Sequence, residues 1–381
     1  MSKQIYLDWN ATAPLRQEAR MAALAAFDLV GNPSSVHGEG RAARRMIEEA
    51  RGHVAALVGA EPRDVVFTSG GTEANVLALH PSQPDERLLV SAVEHPSVLA
   101  GGRFPAGAVE RLPVNSEGQV DLSALGLRLR DLGGKALVSV MLANNETGVM
   151  QPISRIAPLV GAEGARLHVD AVQAAGRVDC SVALAADVLT LSGHKIGGPK
   201  GVGALIQRPA QRHKLIPVLR GGGQERGMRA GTENVAAIAG FGAAAQVLCK
   251  SFVAESTRMA TLRERLERKL TAAAPNVTIF GAAAERLPNT TLFAVPGIKA
   301  ETAIIALDLA GCALSSGAAC SSGKVQASHV LAAMGVPVNL ARGAIRLSLG
   351  PSTTESELDR FIEAWISVSG ALLKNRAEIA A

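Results

Sequence analysis

Short runs of branched apolar residues alternate along this chain with stretches whose apolar positions recur at helical spacing. Asp64–Thr68, Arg87–Ser91, Ala136–Met141, Arg166–Asp170 and Asp187–Leu191 read as buried strands, with helices at Thr72–Leu79 and Ile153–Gly161 between some of them. That alternation predicts an α/β fold, a mostly parallel sheet covered by helices on both faces. The pattern then changes. One long amphipathic helix from about Val253 to Ala274 ends near Pro275. Strand-like segments Asn276–Phe280, Asn289–Val295 and Ala344–Ser348 follow it, spaced by helices at Lys299–Ala310 and Ser356–Leu373. This reads as a smaller α+β domain, so the chain divides into a large domain over residues 11–252 and a small one built from 1–10 and 253–381.

The length, 381 residues, suffices for two cores. Apolar residues make up 48%, much of it alanine, and aromatics only 3%, which suits packing by alanine and leucine in helices. Val235–Cys249 is the most lipid-like stretch, but it is too short and too rich in Ala and Gly to predict a membrane span. Met1–Asp8 lacks the apolar core of a signal peptide, so a cytoplasmic location is expected. The net charge of +5 is mild. Arg263, Arg265, Arg268 and Lys269 are interleaved with Glu264 and Glu267, the pattern of a solvated helix face rather than a nucleic-acid surface. The four cysteines, Cys180, Cys249, Cys312 and Cys320, show no CxxC spacing and are expected as free thiols.

Chemistry concentrates where strands end. Asp170 closes one apolar run, and Lys195 lies just past the next. In an open α/β sheet ligands bind beyond the carboxyl ends of the strands. A lysine and an acid placed there suit pyridoxal phosphate, which needs an amine for its aldehyde and an acidic partner for its ring nitrogen. Gln173, three residues after Asp170, could donate to the ring oxygen. Val65–Asn75 reads as a strand, a glycine turn and a helix start. Its bare amides, with Thr72 beside them, make either an anion site for a phosphate or an ordinary glycine turn. No Gly-Lys-Ser/Thr follows, which argues against a nucleoside triphosphate loop. Ser192 and His194 flank the lysine and could add phosphate contacts. His95 could stack on a ring and pass protons, or simply cap a helix. Asn144–Gly148 ends a strand and either orients a ligand or forms a turn.

These landmarks occur in an order that identifies a family. The chain resembles the cysteine desulfurases of the NifS/IscS type, class-V aminotransferase relatives among the fold-type I pyridoxal phosphate enzymes. The likeness runs from Tyr6-Leu-Asp-Trp-Asn-Ala-Thr-Ala-Pro14 through Gly31–His37, Thr68–Asn75, Glu94-His95-Pro96, Asn144–Gly148, His168–Gln173, Ser192-Gly-His-Lys195, Gly221–Asn234 and Ser315–Ser321 to Ile345–Gly350.

The resemblance implies that Lys195 is the Schiff-base lysine, that Asp170 pairs with the ring nitrogen, that Gln173 meets the ring oxygen and that His95 covers the ring. It implies that Gly71, Thr72, Ser192 and His194 hold the phosphate. It also implies that Thr232 reaches the partner subunit's phosphate in a homodimer. Asn145 and Arg346 would face the substrate, with Asn145 also near the cofactor. Cys320, in a loop of Ser, Gly and Ala, would take sulfur from L-cysteine as a persulfide, leave L-alanine, and hand the sulfur to an iron–sulfur scaffold or another acceptor. No metal site is expected beyond a transient iron–sulfur contact at Cys320. The chain departs from many relatives at Ala318, where a serine is common, at Val76, where an asparagine is common, and in a shortened stretch from His80 to Arg87. None of these removes a group that the reaction needs. A selenocysteine lyase, another class-V aminotransferase or lyase, and a non-catalytic sulfur-transfer scaffold are the rival readings.

Overall fold

The computed structural model describes residues 4–208, 215–316 and 328–380. Strand β1 (Ile5–Tyr6) is followed by helices α1 (Gln17–Phe27) and α2 (Gly38–Val58). The large sheet then forms from β2 (Val65–Thr68), β3 (Arg87–Ser91), β4 (Val109–Leu112), β5 (Ala136–Met141), β6 (Arg166–Asp170), β7 (Val188–Ser192) and β8 (Gly203–Gln207). Its strand order is β2-β8-β7-β6-β5-β3-β4, parallel except for β8, which runs antiparallel to both neighbours. Helices α3 (Gly71–Ala78), α4 (Pro96–Leu99), α5 (Leu122–Leu132) and α6 (Ile153–Ala162) connect or flank these strands. Every residue of β5, β6 and β7 is buried, as expected for central strands covered on both faces.

Local chemistry explains where the strands differ from expectation. β2 starts at Val65 because Pro62–Asp64 forms a 3₁₀ turn, in which the Asp64 carboxylate accepts the Glu61 amide at 3.3 Å. β7 starts at Val188 because the Asp187 side chain is occupied by the Leu167 amide at 2.8 Å.

The helix expected from Val253 begins at Val235, and α7 (Val235–Ala273) runs unbroken for 39 residues. Its first half crosses α2 so closely that a Cβ on Gly242 would lie 2.4 Å from the Ala50 Cα, so only glycine allows the approach. α7 is also the one helix among the described residues long and apolar enough to cross a membrane, and half of its most apolar window is buried inside the fold.

Beyond α7 come β9 (Thr278–Ile279), β10 (Thr290–Ala294), α8 (Ala300–Leu309), β11 (Cys312–Ala313), β12 (Ser315–Ser316), α9 (His329–Ala333), α10 (Val338–Ala341), β13 (Ile345–Ser348) and α11 (Glu355–Ala380). Their sheet has the order β12-β13-β10-β9, and β1 pairs in parallel with β11. One hydrophobic cluster surrounds the large sheet and takes α7 up to Leu248. A second gathers Leu262, Leu266 and Leu270 of α7 with β10, β13, α8 and α11, and also takes Ile5 and Leu7. The N-terminal segment therefore crosses from the second core to the carboxyl ends of the large sheet, delivering Asp8, Asn10 and Thr12 there.

Candidate active site

β6 and β7 are adjacent and parallel, with Asp170 opposite Thr190, so their carboxyl ends lie side by side. Lys195 closes the single 3₁₀ turn that follows β7. Its Nζ donates to the carbonyls of Asn10 at 2.6 Å and Ala11 at 2.9 Å. Burial lowers its pKa to about 8; Arg177 and Arg346 add to this, while Asp8 and Asp170 oppose it. A substantial share of the amine is therefore neutral, and so nucleophilic, close to physiological pH.

Asp170 is buried and fixed at both oxygens: Oδ1 accepts the Val172 amide at 2.9 Å, and Oδ2 accepts Asn75 Nδ2 at 2.9 Å. Asn75 also donates to Ser97 Oγ at 2.9 Å, and Ser97 Oγ lies 2.8 Å from His95 Nδ1. A short polar chain thus joins Asp170 to His95. Two residues back along β6, His168 bridges Ser139 Oγ and Thr190 Oγ1. Burial drops its pKa to about 4 against the pull of Asp170, so it is neutral and cannot compete for that charge.

His95 takes the capping role. It caps α4 by accepting the Ser97 amide at Nδ1, 3.2 Å away, yet its ring stays exposed in the cleft. With Nδ1 accepting, the ring proton sits on Nε2. The cleft walls desolvate the imidazole and lower its pKa; Asp170 opposes this, and Lys195 and His329 reinforce it.

A cavity of about 400 Å³ opens beside Lys195, lined by Gly70, Gly71, Thr72, Ser192, His194 and Lys200 among others. It gathers all four residues expected around a phosphate. A Cβ on Gly71 would lie 3.1 Å from Val172 Cγ2 and 3.5 Å from Ser192 Cβ, so the glycine keeps the cup open at the N-terminus of α3. His194 is lowered to about 4, by burial first and then by Lys195 and Lys200, and its Nδ1 lies 3.2 Å from Thr12 Oγ1. Glu73 also lines the cavity, but its carboxylate is taken up by Arg229 at 3.0 Å and by the Ser69 amide at 2.8 Å. Amides, hydroxyls, a neutral imidazole and a cation make a donor set that fits a phosphate dianion. A carboxylate and an amine at adjacent strand ends fit the rest of pyridoxal phosphate.

Arg346, expected to face the substrate, is held at several points. Its Nη2 pairs with Asp8 at 2.7 Å, its Nη1 donates to the Asn145 carbonyl at 2.9 Å, and its buried Nε has no partner among the described residues. Gln173 donates to the Asn10 carbonyl at 3.0 Å and accepts from Arg177 at 2.6 Å. Thr232 is exposed on the surface of the chain. Cys320 lies outside the described residues. The chain on either side of its segment ends at this site: Ser315 pairs with Arg346 in the sheet, and Ser328 donates to Glu146 Oε2 at 2.5 Å, next to Asn145.

Several site residues carried no role in the sequence reading. Asn10 is a hub: its carbonyl takes Lys195 and Gln173, its amide donates to Ser348 Oγ at 2.9 Å, and its side chain reaches Thr290 at 2.9 Å. Asp8, Asn75 and Arg177 are similarly placed. Two buried carboxyls complete the floor. Glu94 accepts the Met141 amide at 2.6 Å, and its Oε2 has no partner among the described residues. Burial, with help from Asp170, pushes it well above the usual carboxylate range. Burial also pushes Glu146 up to about 7, against the Ser328 hydrogen bond and the Arg346 charge.

The fold and the paired strand-end groups define the architecture of fold-type I pyridoxal phosphate enzymes. The class-V aminotransferase family matches residues 5–361. A cysteine desulfurase of Cereibacter sphaeroides is 43% identical over 372 residues, covering 95% of this chain and 94% of that protein. The cysteine desulfurase NifS of Azotobacter vinelandii is 41% identical over 368 residues, covering 94% of this chain and 90% of that protein. Among solved structures, a NifS-like protein from Rickettsia africae ESF-5 superposes with a TM-score of 0.88 at 37% identity, covering 96% of this chain and 99% of that one. This chain belongs to the class-V aminotransferase family.

Proposed function

We infer that the chain is a pyridoxal-phosphate-dependent cysteine desulfurase, which removes sulfur from L-cysteine, releases L-alanine and holds the sulfur as a persulfide on Cys320. The observation that carries this reading is the closeness of Lys195 to both Asp170 and Arg346, with a phosphate-sized cup reached through Ala11, whose carbonyl accepts Lys195, in a chain whose relatives are cysteine desulfurases. When bound, the cofactor supplies an electron-poor ring that stores the electrons left as the substrate's α-proton departs.

The chain's own groups do the rest. Lys195 offers a partly neutral amine that would hold the aldehyde carbon, and its Nζ can take the α-proton. Asp170, fixed by Asn75 and Val172, would pair with the ring nitrogen. Gln173 would meet the ring oxygen and His95 would cover the ring. Gly71, Thr72, Ser192 and His194 would hold the phosphate. Arg346 is oriented by Asp8 and the Asn145 carbonyl and receives the substrate carboxylate, with Asn145 beside it. The Cys320 thiolate attacks the substrate sulfur; an S–S bond forms, the C–S bond breaks with its electrons left on carbon, and that carbon is protonated as alanine is formed.

The working unit is a homodimer in which Thr232 serves the partner's phosphate. Exposed Met21, Leu24 and Phe27 on α1, with Val30 and Val36 beyond it, support a covered face there, and exposed Thr232 is free to reach outward. The division into domains 11–252 and 1–10 with 253–381 is supported by the two hydrophobic clusters. The acceptor is an iron–sulfur scaffold or another sulfur-receiving protein, and the enzyme works in the cytoplasm.

Incubation with L-cysteine and a reductant should yield alanine and sulfide in equal amounts; without the reductant, mass spectrometry should find one added sulfur on Cys320. Cys320→Ala should keep the visible cofactor band and lose sulfide release. Near-normal sulfide release by that variant would refute the assignment. Consumption of a keto acid would favour a transaminase, and strong preference for selenocysteine a selenocysteine lyase.

A further inference from the structure

Two consecutive non-glycine residues in the Gly221–Asn234 segment, Glu225 (φ 45°, ψ 40°) and Arg226 (φ 56°, ψ 33°), hold a left-handed backbone. Residues with a Cβ adopt that conformation in succession only where surrounding contacts compensate. The compensation is visible. The Glu225 carboxylate is buried and receives both Nη groups of buried Arg51, at 2.7 and 2.8 Å. It also accepts the Phe67 amide at 2.9 Å. β2, which contains Phe67, is an edge strand, so its outward backbone groups need partners from elsewhere. Val65, the other outward residue, gives its carbonyl to Arg51 at 3.0 Å and Arg226 at 2.5 Å.

Those contacts tie the segment to the strand that leads into the phosphate cup, since Phe67 stands two residues before Ser69. A second tie runs in parallel. Arg229 pairs with Glu73 at 3.0 Å, and Glu73 holds the Ser69 amide. A third closes the segment on itself: the Gly231 amide donates to Gln224 Oε1 at 3.2 Å, joining the residue before Thr232 to the residue before Glu225. Thr232 is left exposed at the end of a braced turn.

We propose that Glu225 is a positioning residue for Thr232, clamping the Gly221–Asn234 segment to the edge of β2 so that Thr232 is held at the angle needed to reach the cofactor phosphate of a second copy. This rests on the dimeric, cofactor-binding reading above. Glu225 touches neither cofactor nor substrate; its effect passes through the backbone of its segment. Removing its charge leaves Arg51 with only half-exposed Glu48 as counter-ion and turns one of the two acceptor oxygens into a donor facing the guanidinium, so the segment loses its fixed attachment.

The test is a double-mutant cycle on the dissociation constant of pyridoxal 5′-phosphate, titrated into the apo dimer and followed by visible absorbance and by the ³¹P resonance of the bound phosphate. Glu225→Gln should weaken binding by about tenfold. It should also broaden or shift the ³¹P signal, and the Glu225→Gln/Thr232→Val double variant should bind no more weakly than Thr232→Val alone. Losses that multiply would overturn the proposal, as would a Glu225→Gln variant that binds like wild type. If Glu225→Gln does not fold, Arg51→Met/Glu225→Gln, which leaves no unpaired buried charge, must show the same weakened binding; wild-type affinity there overturns the proposal. Wild-type affinity in Thr232→Val alone would instead sink the cross-subunit reading on which the proposal stands.

Discussion

Glu146→Gln should gain stability relative to the wild type as pH rises from 4.5 to about 7, and hold that gain at higher pH. The carboxyl is buried, with Ser328 as its hydrogen-bond donor, and its pKa is raised from 4.5 to about 7. Below pH 4.5 it is protonated in both the folded and the unfolded chain and contributes no pH dependence. Between 4.5 and about 7 the unfolded chain releases its proton while the folded one keeps it, so folding loses ground as pH rises. Above about 7 the penalty levels off at about 3 kcal/mol, taking about 1.4 kcal/mol per pH unit between the two pKa values. Glutamine has the same shape and no titration. Its amide brings a fixed cost of about 1–3 kcal/mol if one of its groups goes unpaired, but that cost does not vary with pH. Urea unfolding of the cofactor-free wild type and variant, at half-unit steps from pH 4.5 to 8.5, separates the two contributions. The difference curve should rise through this window and flatten above pH 7. A flat difference across the whole range would refute the argument that this carboxyl is buried against its charge.

Lys195 gives a kinetic counterpart. Capture of pyridoxal 5′-phosphate by the apo protein needs the neutral amine, so its rate should climb with pH to a plateau whose midpoint is near 8. Because Asp8 favours the charged lysine, Asp8→Asn should move that midpoint down; stopped-flow absorbance showing it unmoved or higher would contradict the electrostatic account. Gly71→Ala places a methyl group 3.1 Å from Val172 Cγ2 in the phosphate cup. It should weaken cofactor binding by about tenfold or more while leaving the apo melting temperature nearly unchanged. An equal fall in melting temperature would locate the damage in the fold instead.

The strand-end chemistry was legible in the sequence because it is local. Arg166–Asp170 forms a strand over the residues its apolar pattern marks, and Lys195 follows its own strand by three residues. β4 escaped because its Glu110 and Arg111 break the apolar run at a sheet edge, and β8 because it opens on Gly203-Ala204 straight after a glycine-rich turn. The first half of α7 escaped because an Ala- and Gly-rich stretch packed against α1 and α2 has little polar face to set its period. Asp8 and Asn10 could not be read at all. Their roles depend on β1 pairing with β11 some three hundred residues away, which brings the N-terminus across to the large sheet. His95 shows the limit of choosing between roles: the same nitrogen that caps α4 fixes which edge of the ring can serve the cleft.

A rod of 39 residues, about 58 Å long, is rooted in both hydrophobic clusters. The two lobes therefore share a girder, and swinging one against the other would mean bending an intact helix or tearing leucines from a packed interior. The width of the cleft between them is set by this span before any ligand arrives. Accommodation of substrates of different bulk must fall to side chains and short connections along the rim, which makes the rim, rather than a hinge, the place to alter when changing what the cleft admits.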